Sequence, residues 1–254
     1  DLLYLYTERK HIPKILLGSG HNVILSKPYY DQDFVIFSGN FNKIETKDTF
    51  IIAEAGATML EVSQHALANS LTGLEIFYDI PSSVGGAVVM NAGASGEEIK
   101  DLLVKARYYD TQKNTFGELK KDEIGFQYRN SVFQQNPHLI VTKAWLELKP
   151  GQKDLIKEKM DCIKEARWAK QPRDFPNAGS VFKRPKGYYV GTMIEELGLK
   201  GYKVGGAMIS EKHAGFIVND GNATGKDILE LVRVCQRKVW DKYNVELEVE
   251  QRVI

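Results

Sequence analysis

GLEIFYDIPSSVGGAVVMNAGASG, residues Gly73 to Gly96, is the stretch whose reading decides the fold. Pro81, Ser82, Ser83, Gly85, Gly86, Asn91, Ala92, Gly93 and Ala94 crowd into it, the densest run of small residues in the chain. Glycine permits positive φ and lets a second backbone or a ligand come close. Two readings stay open on spacing alone: a loop-rich connector between sheets, or backbone laid against something flat or anionic.

Upstream of it, Phe34 to Phe37 and Phe50 to Ala55 read as strands, and Thr58 with Glu61 has the capping-box spacing that opens a helix running to about Asn69. Leu60, Ala66 and Leu67 form the stripe expected to pack that helix on the sheet. Lys14 to Leu17 reads as a buried strand feeding Gly18, Ser19, Gly20, His21 and Asn22. A strand entering Gly-x-Gly resembles the start of a dinucleotide fingerprint, but the third glycine is missing and no helix follows, which argues against a Rossmann fold. The turn either cradles a phosphate with N–H groups and hydroxyls or closes a hairpin.

Downstream, Leu102 to Tyr109 and Leu139 to Leu148 read as strands, with a turn over Asp110 to Asn114. Arg129 lies among Phe126, Tyr128 and Phe133, either as a surface cation on a ring or as a guanidinium fork held for a carboxylate or phosphate. Composition changes at Lys149-Pro150-Gly151, which divides the chain into 1–149 and 150–254. Lys153 to Lys170 follows a helical period through Leu155, Ile156, Met160, Ile163 and Arg167, and Pro172 stops it. Pro176 to Lys183 reads as a small-residue turn presenting the Ser180 hydroxyl; without a G-x-S-x-G elbow a hydrolase serine is not supported.

Val190 to Leu197 reads as a short helix ended by Gly198, and Ala214 to Val218 as a buried strand beside His213. Thr224 and Asp227 cap the last long helix, striped by Ile228, Leu231, Val232, Cys235 and Val239. Val245, Leu247 and Val249 alternate with Glu246, Glu248 and Glu250, the pattern of a closing strand with an acidic face. Many strands and few helices indicate an α+β layout rather than a TIM barrel or a doubly wound sheet.

With 254 residues, 43% of them hydrophobic, the chain can bury a sizeable core. Lys+Arg 34 against Asp+Glu 33 leaves a formal charge of +1, so no global field calls for nucleic acid or an anionic membrane, and a bound anion needs a local site. Cys162 and Cys235 fall on predicted apolar helix faces without metal-ligand spacing, which reads as two buried free thiols in a reducing cytoplasm and no metal. No apolar run reaches the ~20 residues of a membrane span. The chain begins at Asp1 without a methionine, so an amino-terminal segment is expected to be missing.

Together the segments resemble the UDP-N-acetylenolpyruvoylglucosamine reductases. The resemblance runs through Leu16-Leu17-Gly18-Ser19-Gly20-His21-Asn22, Gly73-Leu74-Glu75, Ile80-Pro81, Val84-Gly85-Gly86-Ala87 and Met90-Asn91-Ala92-Gly93-Ala94. It continues at Tyr128-Arg129-Asn130-Ser131-Val132-Phe133, Asn177-Ala178-Gly179-Ser180-Val181-Phe182, Gly198-Leu199-Lys200-Gly201, His213-Ala214-Gly215-Phe216 and Leu247-Glu248-Val249-Glu250. It implies an FAD-binding α+β region of the vanillyl-alcohol-oxidase type, followed by a substrate domain. Gly18 to Asn22 would then hold the FAD pyrophosphate, and Pro81, Ser82, Ser83, Gly85, Gly86, Asn91, Ala92, Gly93 and Ala94 would lie along the flavin.

The implied reaction passes a hydride from NADPH to flavin and then to the enolpyruvyl double bond of a nucleotide-sugar. Ser180 matches the proton donor, and Arg129 and Glu250 match the residues that polarise the carboxylate and steady the enolate-like intermediate; Tyr128, Lys170, Lys200 and His213 fall where the family contacts the nucleotide-sugar. Asp79 and Ser82 stand where glycines are frequent, and too little chain separates Phe133 from Leu148 for the tyrosine-bearing insertion of the longer subclass. No obligatory protein partner is evident. A flavin-dependent sugar or alcohol oxidase of the same fold, and a non-catalytic paralogue, are the alternatives; fast reoxidation by oxygen alone favours the first, and bound flavin with NADPH-driven turnover excludes the second.

Overall fold

The protein is described by a computed structural model over residues 1–37 and 41–254. The chain forms two compact units, one of residues 1–19 and 31–165, the other of residues 20–30 and 166–254.

Side-chain alternation builds the first unit's sheet. Ile51 and Ala53 in Phe50–Glu54, Leu103 and Ala106 in Leu103–Asp110, and Ala144 and Leu146 in Leu139–Glu147 all point into one core. With Ile44–Lys47 at one edge and Thr115–Lys120 at the other, these strands form a five-stranded antiparallel sheet. Thr115–Lys120 was not anticipated: its residues are exposed or half-buried, so it carries little apolar signal.

The helix Met59–Ala68 has the expected capping box, with Thr58 Oγ1 accepting from the Glu61 N–H at 3.1 Å and the Glu61 carboxylate accepting from the Thr58 N–H at 2.8 Å. Its buried face is Met59, Val62, Ser63 and Ala66; Leu60, expected on that face, is exposed because it sits about 100° round from Met59. The glycine-rich run is neither a plain connector nor a continuous loop, for Val84–Met90 is a helix. Ser83 caps it by accepting from the Gly86 N–H at 3.2 Å, and the Gly85 N–H donates to the Ala55 carbonyl at 2.9 Å. A Cβ on Gly85 would lie 3.0 Å from the Ala55 Cβ, so glycine there lets helix and strand backbones close up.

Lys149 and Pro150, read as the boundary, pair with Thr72 and Leu71 inside the first unit, and the two units divide within the helix Lys153–Lys170. That helix buries Ile156 and Met160. Cys162, expected to be buried, is exposed, since two residues beyond Met160 is the far side of a helix; Leu155 is exposed as well. Cys235 is buried, which pushes its thiol up to about 12.

In the second unit Asn177–Ser180, Phe216–Asn219, Ala207–Ile209 and Lys203–Val204 form a four-stranded antiparallel sheet. The stretch expected to be a turn around Ser180 is therefore an edge strand. The helix Gly225–Tyr243 opens with the expected Thr224/Asp227 box and packs by Leu231, Val232, Cys235 and Val239; Val190–Glu196 packs by Val190, Met193 and Ile194 and ends before Gly198 at φ +68°. A Cβ on Gly225 would lie 2.0 Å from the Leu25 carbonyl oxygen, so that helix starts directly on the backbone of residues 25–26.

The Gly18 to Asn22 turn closes no hairpin. Lys14–Leu17 pairs in parallel with Asp33–Ile36, whereas Val23–Ile24 pairs in parallel with Arg252–Val253. The closing strand expected over Val245 to Val249 is reduced to one bridge, Val249 with Phe182, flanked by bonds from the Lys183 N–H to the Glu248 carbonyl and from the Glu250 N–H to the Val181 carbonyl. Leu247 alone of its apolar residues is fully buried. Among the described residues no helix is long and apolar enough to cross a membrane.

Candidate active site

In the first unit, Gln127 and Asn130 close a tight turn by reciprocal main-chain bonds of 3.0 and 3.1 Å, and Arg129 occupies it at φ +54°. A non-glycine residue holds this left-handed conformation only where its surroundings impose it. Its guanidinium supplies them: Nη2 donates to the Gly93 carbonyl at 2.7 Å, Nη1 donates to the Asn91 carbonyl at 3.4 Å and lies 3.7 Å from Glu98 Oε1. The group also sits 4.9 Å from the centre of the Tyr128 ring. It is thus stacked on an aromatic, yet it is no loose surface cation, since only 15% of its side chain is exposed.

Asn91 organises this arrangement from within. It is fully buried at φ +46°; its amide donates to Glu98 Oε2 at 3.0 Å and to the Gln127 carbonyl at 2.9 Å, and its side-chain oxygen accepts from the Lys100 N–H at 3.3 Å. Gly93 pairs with Glu98 across the two short strands Gly93–Ala94 and Glu97–Glu98, where a Cβ would lie 2.1 Å from the Glu97 carbonyl oxygen. Asn91 and Gly93, expected along a flavin, also accept from Arg129 through their carbonyls. Glu98, which the sequence reading passed over, joins Asn91, Lys100 and Arg129.

Gly18 lies at the start of the helix Val84–Met90, where a Cβ on it would come within 2.7 Å of Ser83 Oγ and 3.7 Å of Gly86 Cα. The helix's opening N–H groups already have protein acceptors: Val84 on Ala57, Gly85 on Ala55, Gly86 on Ser83 Oγ. An anion bound here therefore relies on the Gly18–Ser19 backbone and the hydroxyls of Ser19, Ser82 and Ser83 more than on the helix amides. Pro81 is exposed, and Ser82, Gly85, Gly86, Ala92 and Ala94 are half-buried.

The second unit holds Ser180, Glu250, His213, Lys200 and Lys170, with Gly20, His21 and Asn22 of the turn. Gly20 stands at φ +76°, and a Cβ added there would meet nothing within 4 Å, so conformation rather than crowding calls for glycine. Asn22 donates from its amide to the Glu250 carbonyl at 3.2 Å, and its main-chain carbonyl accepts from the Arg252 N–H at 2.9 Å, which fixes the chain at Glu250. Ser180 is exposed and follows Gly179, at φ +79°, in a β-bulge between Asn177, paired with Val218, and Ser180, paired with Phe216. The Glu250 N–H donates to the Val181 carbonyl at 2.8 Å, so Ser180 and Glu250 stand on neighbouring segments of one unit.

His213 accepts at Nδ1 from the Gly215 N–H at 3.1 Å and meets the Phe216 ring edge-on, 4.9 Å between centroids. Burial, with Lys200 nearby, holds its imidazole below its ordinary range. Lys200 is paired with Glu195 at 2.7 Å, and Lys170 is exposed at the end of its helix. Among the described residues no group of three or more His, Cys, Asp or Glu is arranged to hold a metal ion.

Residues 171–254 match the C-terminal domain of UDP-N-acetylenolpyruvoylglucosamine reductase, and residues 3–114 match an FAD binding domain. The chain is 43% identical over 252 residues to the UDP-N-acetylenolpyruvoylglucosamine reductase of Caldanaerobacter subterraneus, a match spanning 99% of this chain and 82% of that protein. It is 42% identical to that of Latilactobacillus sakei over the same shares. Among solved structures, the UDP-N-acetylenolpyruvylglucosamine reductase of Thermus caldophilus is similar at a TM-score of 0.83 and 35% identity, covering 100% of this chain and 89% of that one.

Proposed function

This chain belongs to the UDP-N-acetylenolpyruvoylglucosamine reductase family, and on that premise we propose that it reduces the enolpyruvyl group of UDP-N-acetylglucosamine enolpyruvate with NADPH, giving UDP-N-acetylmuramate. FAD is its cofactor, and the residues present suit it: Gly18 lets its backbone lie directly against Ser83, where a Cβ would come within 2.7 Å of Ser83 Oγ, so main-chain groups and serine hydroxyls come together there. The Gly18–Ser19 backbone, Ser82 and Ser83 would hold the diphosphate. When bound, FAD supplies the relay of hydride from NADPH to the double bond.

The remaining chemistry falls to this chain's side chains. Arg129, fixed at its head by the Gly93 and Asn91 carbonyls, orients the substrate carboxylate and draws charge toward it, with little entropy left to lose on binding. Hydride addition at one end of the double bond leaves strongly basic carbon at the other, and Ser180 delivers the proton there from Oγ; a weak acid suffices against so strong a base. Glu250, when protonated, donates a hydrogen bond to the enolate-like oxygen, where a charged carboxylate would repel it. Tyr128, Lys170, Lys200 and His213 contact the nucleotide-sugar, and the reaction belongs in the cytoplasm, where nucleotide-sugars are made.

The observation that supports this reading most directly is the 2.8 Å bond from the Glu250 N–H to the Val181 carbonyl, which runs the main chain of Glu250 alongside the residue that follows Ser180. The test is an absorption spectrum of the purified protein, taken before and after NADPH and then after substrate, without oxygen. Yellow protein that bleaches with NADPH and recovers its colour only with substrate is expected. Rapid recovery with oxygen alone would make it an oxidase, and protein that stays colourless after incubation with FAD would overturn the reading for this chain.

A further inference from the structure

We infer that Gln251 is a positioning residue for Ser180, acting through the main chain of the bulge and resting on the reading of Ser180 as proton donor.

Gln251 is 5% exposed, in a segment where its predecessors Glu246, Glu248 and Glu250 all keep some exposure. Its side-chain nitrogen donates to two consecutive carbonyls, Ala178 at 2.9 Å and Gly179 at 3.0 Å. These are the two residues of the bulge. Because Asn177 pairs with Val218 and Ser180 with Phe216, the pair between them stands opposite the single residue Ile217, and the regular ladder has no place for both. A primary amide suits this role because it is neutral and its two N–H groups diverge at a fixed angle toward two acceptors. Asn177 completes the bulge from the other side by accepting the Gly179 N–H at 3.0 Å.

Ser180 is therefore clamped on both flanks. Before it, Gln251 holds residues 178 and 179 by side chain; after it, the Glu250 N–H holds the Val181 carbonyl by main chain. A serine has one side-chain torsion that moves its oxygen, so where Oγ can reach is dictated by where the backbone puts Cβ. The bond that fixes the bulge fixes the hydroxyl's reach, while Gln251 itself has no part in carrying the proton.

Gln251→Leu keeps the volume and removes both donors; Gln251→Glu keeps the shape and turns a carboxylate toward two carbonyls. In the FAD-loaded enzyme, rapid-mixing spectroscopy separates flavin reduction by NADPH from reoxidation by substrate. Gln251→Leu is expected to slow reoxidation by about 10- to 100-fold, as small displacements of reacting groups do, with reduction changed less than about 2-fold on the same reasoning that only proton delivery is displaced. Added to Ser180→Ala it should cost nothing more, because it acts through that hydroxyl. Gln251→Glu should be slow at neutral pH and regain reoxidation rate as the pH falls and its carboxyl becomes a donor. In the flavin-free protein, amide exchange at residues 179–181 should quicken in Gln251→Leu.

Unchanged reoxidation in Gln251→Leu, equal slowing of both halves, or independent multiplication with Ser180→Ala would each overturn the inference. If Ser180→Ala alone leaves reoxidation intact, the reading of Ser180 falls and the inference with it; if Ser180→Ala slows reoxidation but Gln251→Leu does not, only the inference falls.

Discussion

Arg129 in the first unit and Ser180 in the second are held from opposite ends. The arginine is gripped at its head by the Gly93 and Asn91 carbonyls and Glu98, and laid over Tyr128. The serine is gripped at its backbone, by Asn177 and Gln251 before it and Glu250 after it. The difference follows from side-chain freedom. An arginine loses up to about 2 kcal/mol of rotamer entropy when fixed, so a guanidinium that is to be held still needs its restraint where the wandering is greatest. A serine has a single torsion to fix, and its precision comes from the chain.

The largest test removes the short side chain. Ser180→Ala leaves the bulge bonds in place and deletes only the hydroxyl, so reoxidation by substrate should fall by roughly 10²- to 10⁴-fold, while reduction by NADPH stays close to wild type. Slowing of both halves together would mean that Ser180 shapes the unit and does not deliver a proton. On the other side of the comparison, Arg129→Lys retains charge but not the fork. Lysine offers one point of attachment where arginine meets Gly93 and Asn91 at once and, in the proposed role, the substrate carboxylate as well, so turnover should fall about 10- to 100-fold, the loss of one or two charged hydrogen bonds. Near-wild-type turnover with lysine would show that charge alone matters and that the grip on the head is incidental.

How far the sequence revealed these arrangements depended on where the determining partner sits. Helix starts set by neighbours three residues apart, Thr58 with Glu61 and Thr224 with Asp227, were readable, as was the stop at Gly198. The helix Val84–Met90 was not, since two glycines in its first turn lower its intrinsic propensity and its support is Ala55, far back in the chain. Arg129, Ser180 and Glu250 stood out through motif context. Glu98 and Gln251 did not, because a carboxylate in a turn and an amide after a row of glutamates both read as solvated until the fold brings them to Arg129 and to Ala178. Cys162 erred the other way, an apolar type placed on the wet face.

Glu98 sharpens the first half of the comparison. Glu98→Gln keeps one acceptor for the Asn91 amide but removes the charge that faces Lys100 and Arg129. With the Gly93 bond still in place, the head should loosen and not fall free. Substrate KM should rise by about 5-fold, the worth of roughly 1 kcal/mol at a partly exposed ion pair, with kcat nearly unchanged. A fall in kcat as large as that of Arg129→Lys would move Glu98 from support into the chemistry.

The smallest effect concerns the second unit's dependence on pH. His213 accepts a main-chain N–H from Gly215, and Phe216, one residue on, is the partner of Ser180 in the sheet. Burial, helped by Lys200 and opposed by Glu195, holds the folded imidazole below the 6.5 ordinary for histidine. Between the folded and unfolded pKa values the unfolded chain binds more protons, so stability falls as pH drops from about 6.5 through the folded value and is unaffected above it. Protonation also removes the lone pair on which Gly215 donates. Calorimetric Tm measured against pH should therefore decline more steeply below about 6.5 in the wild type than in His213→Gln, and the two curves should run parallel above it. Parallel curves throughout would show that the imidazole ionises in place without strain on the strand behind Ser180, leaving the bulge bonds alone to keep that serine in position.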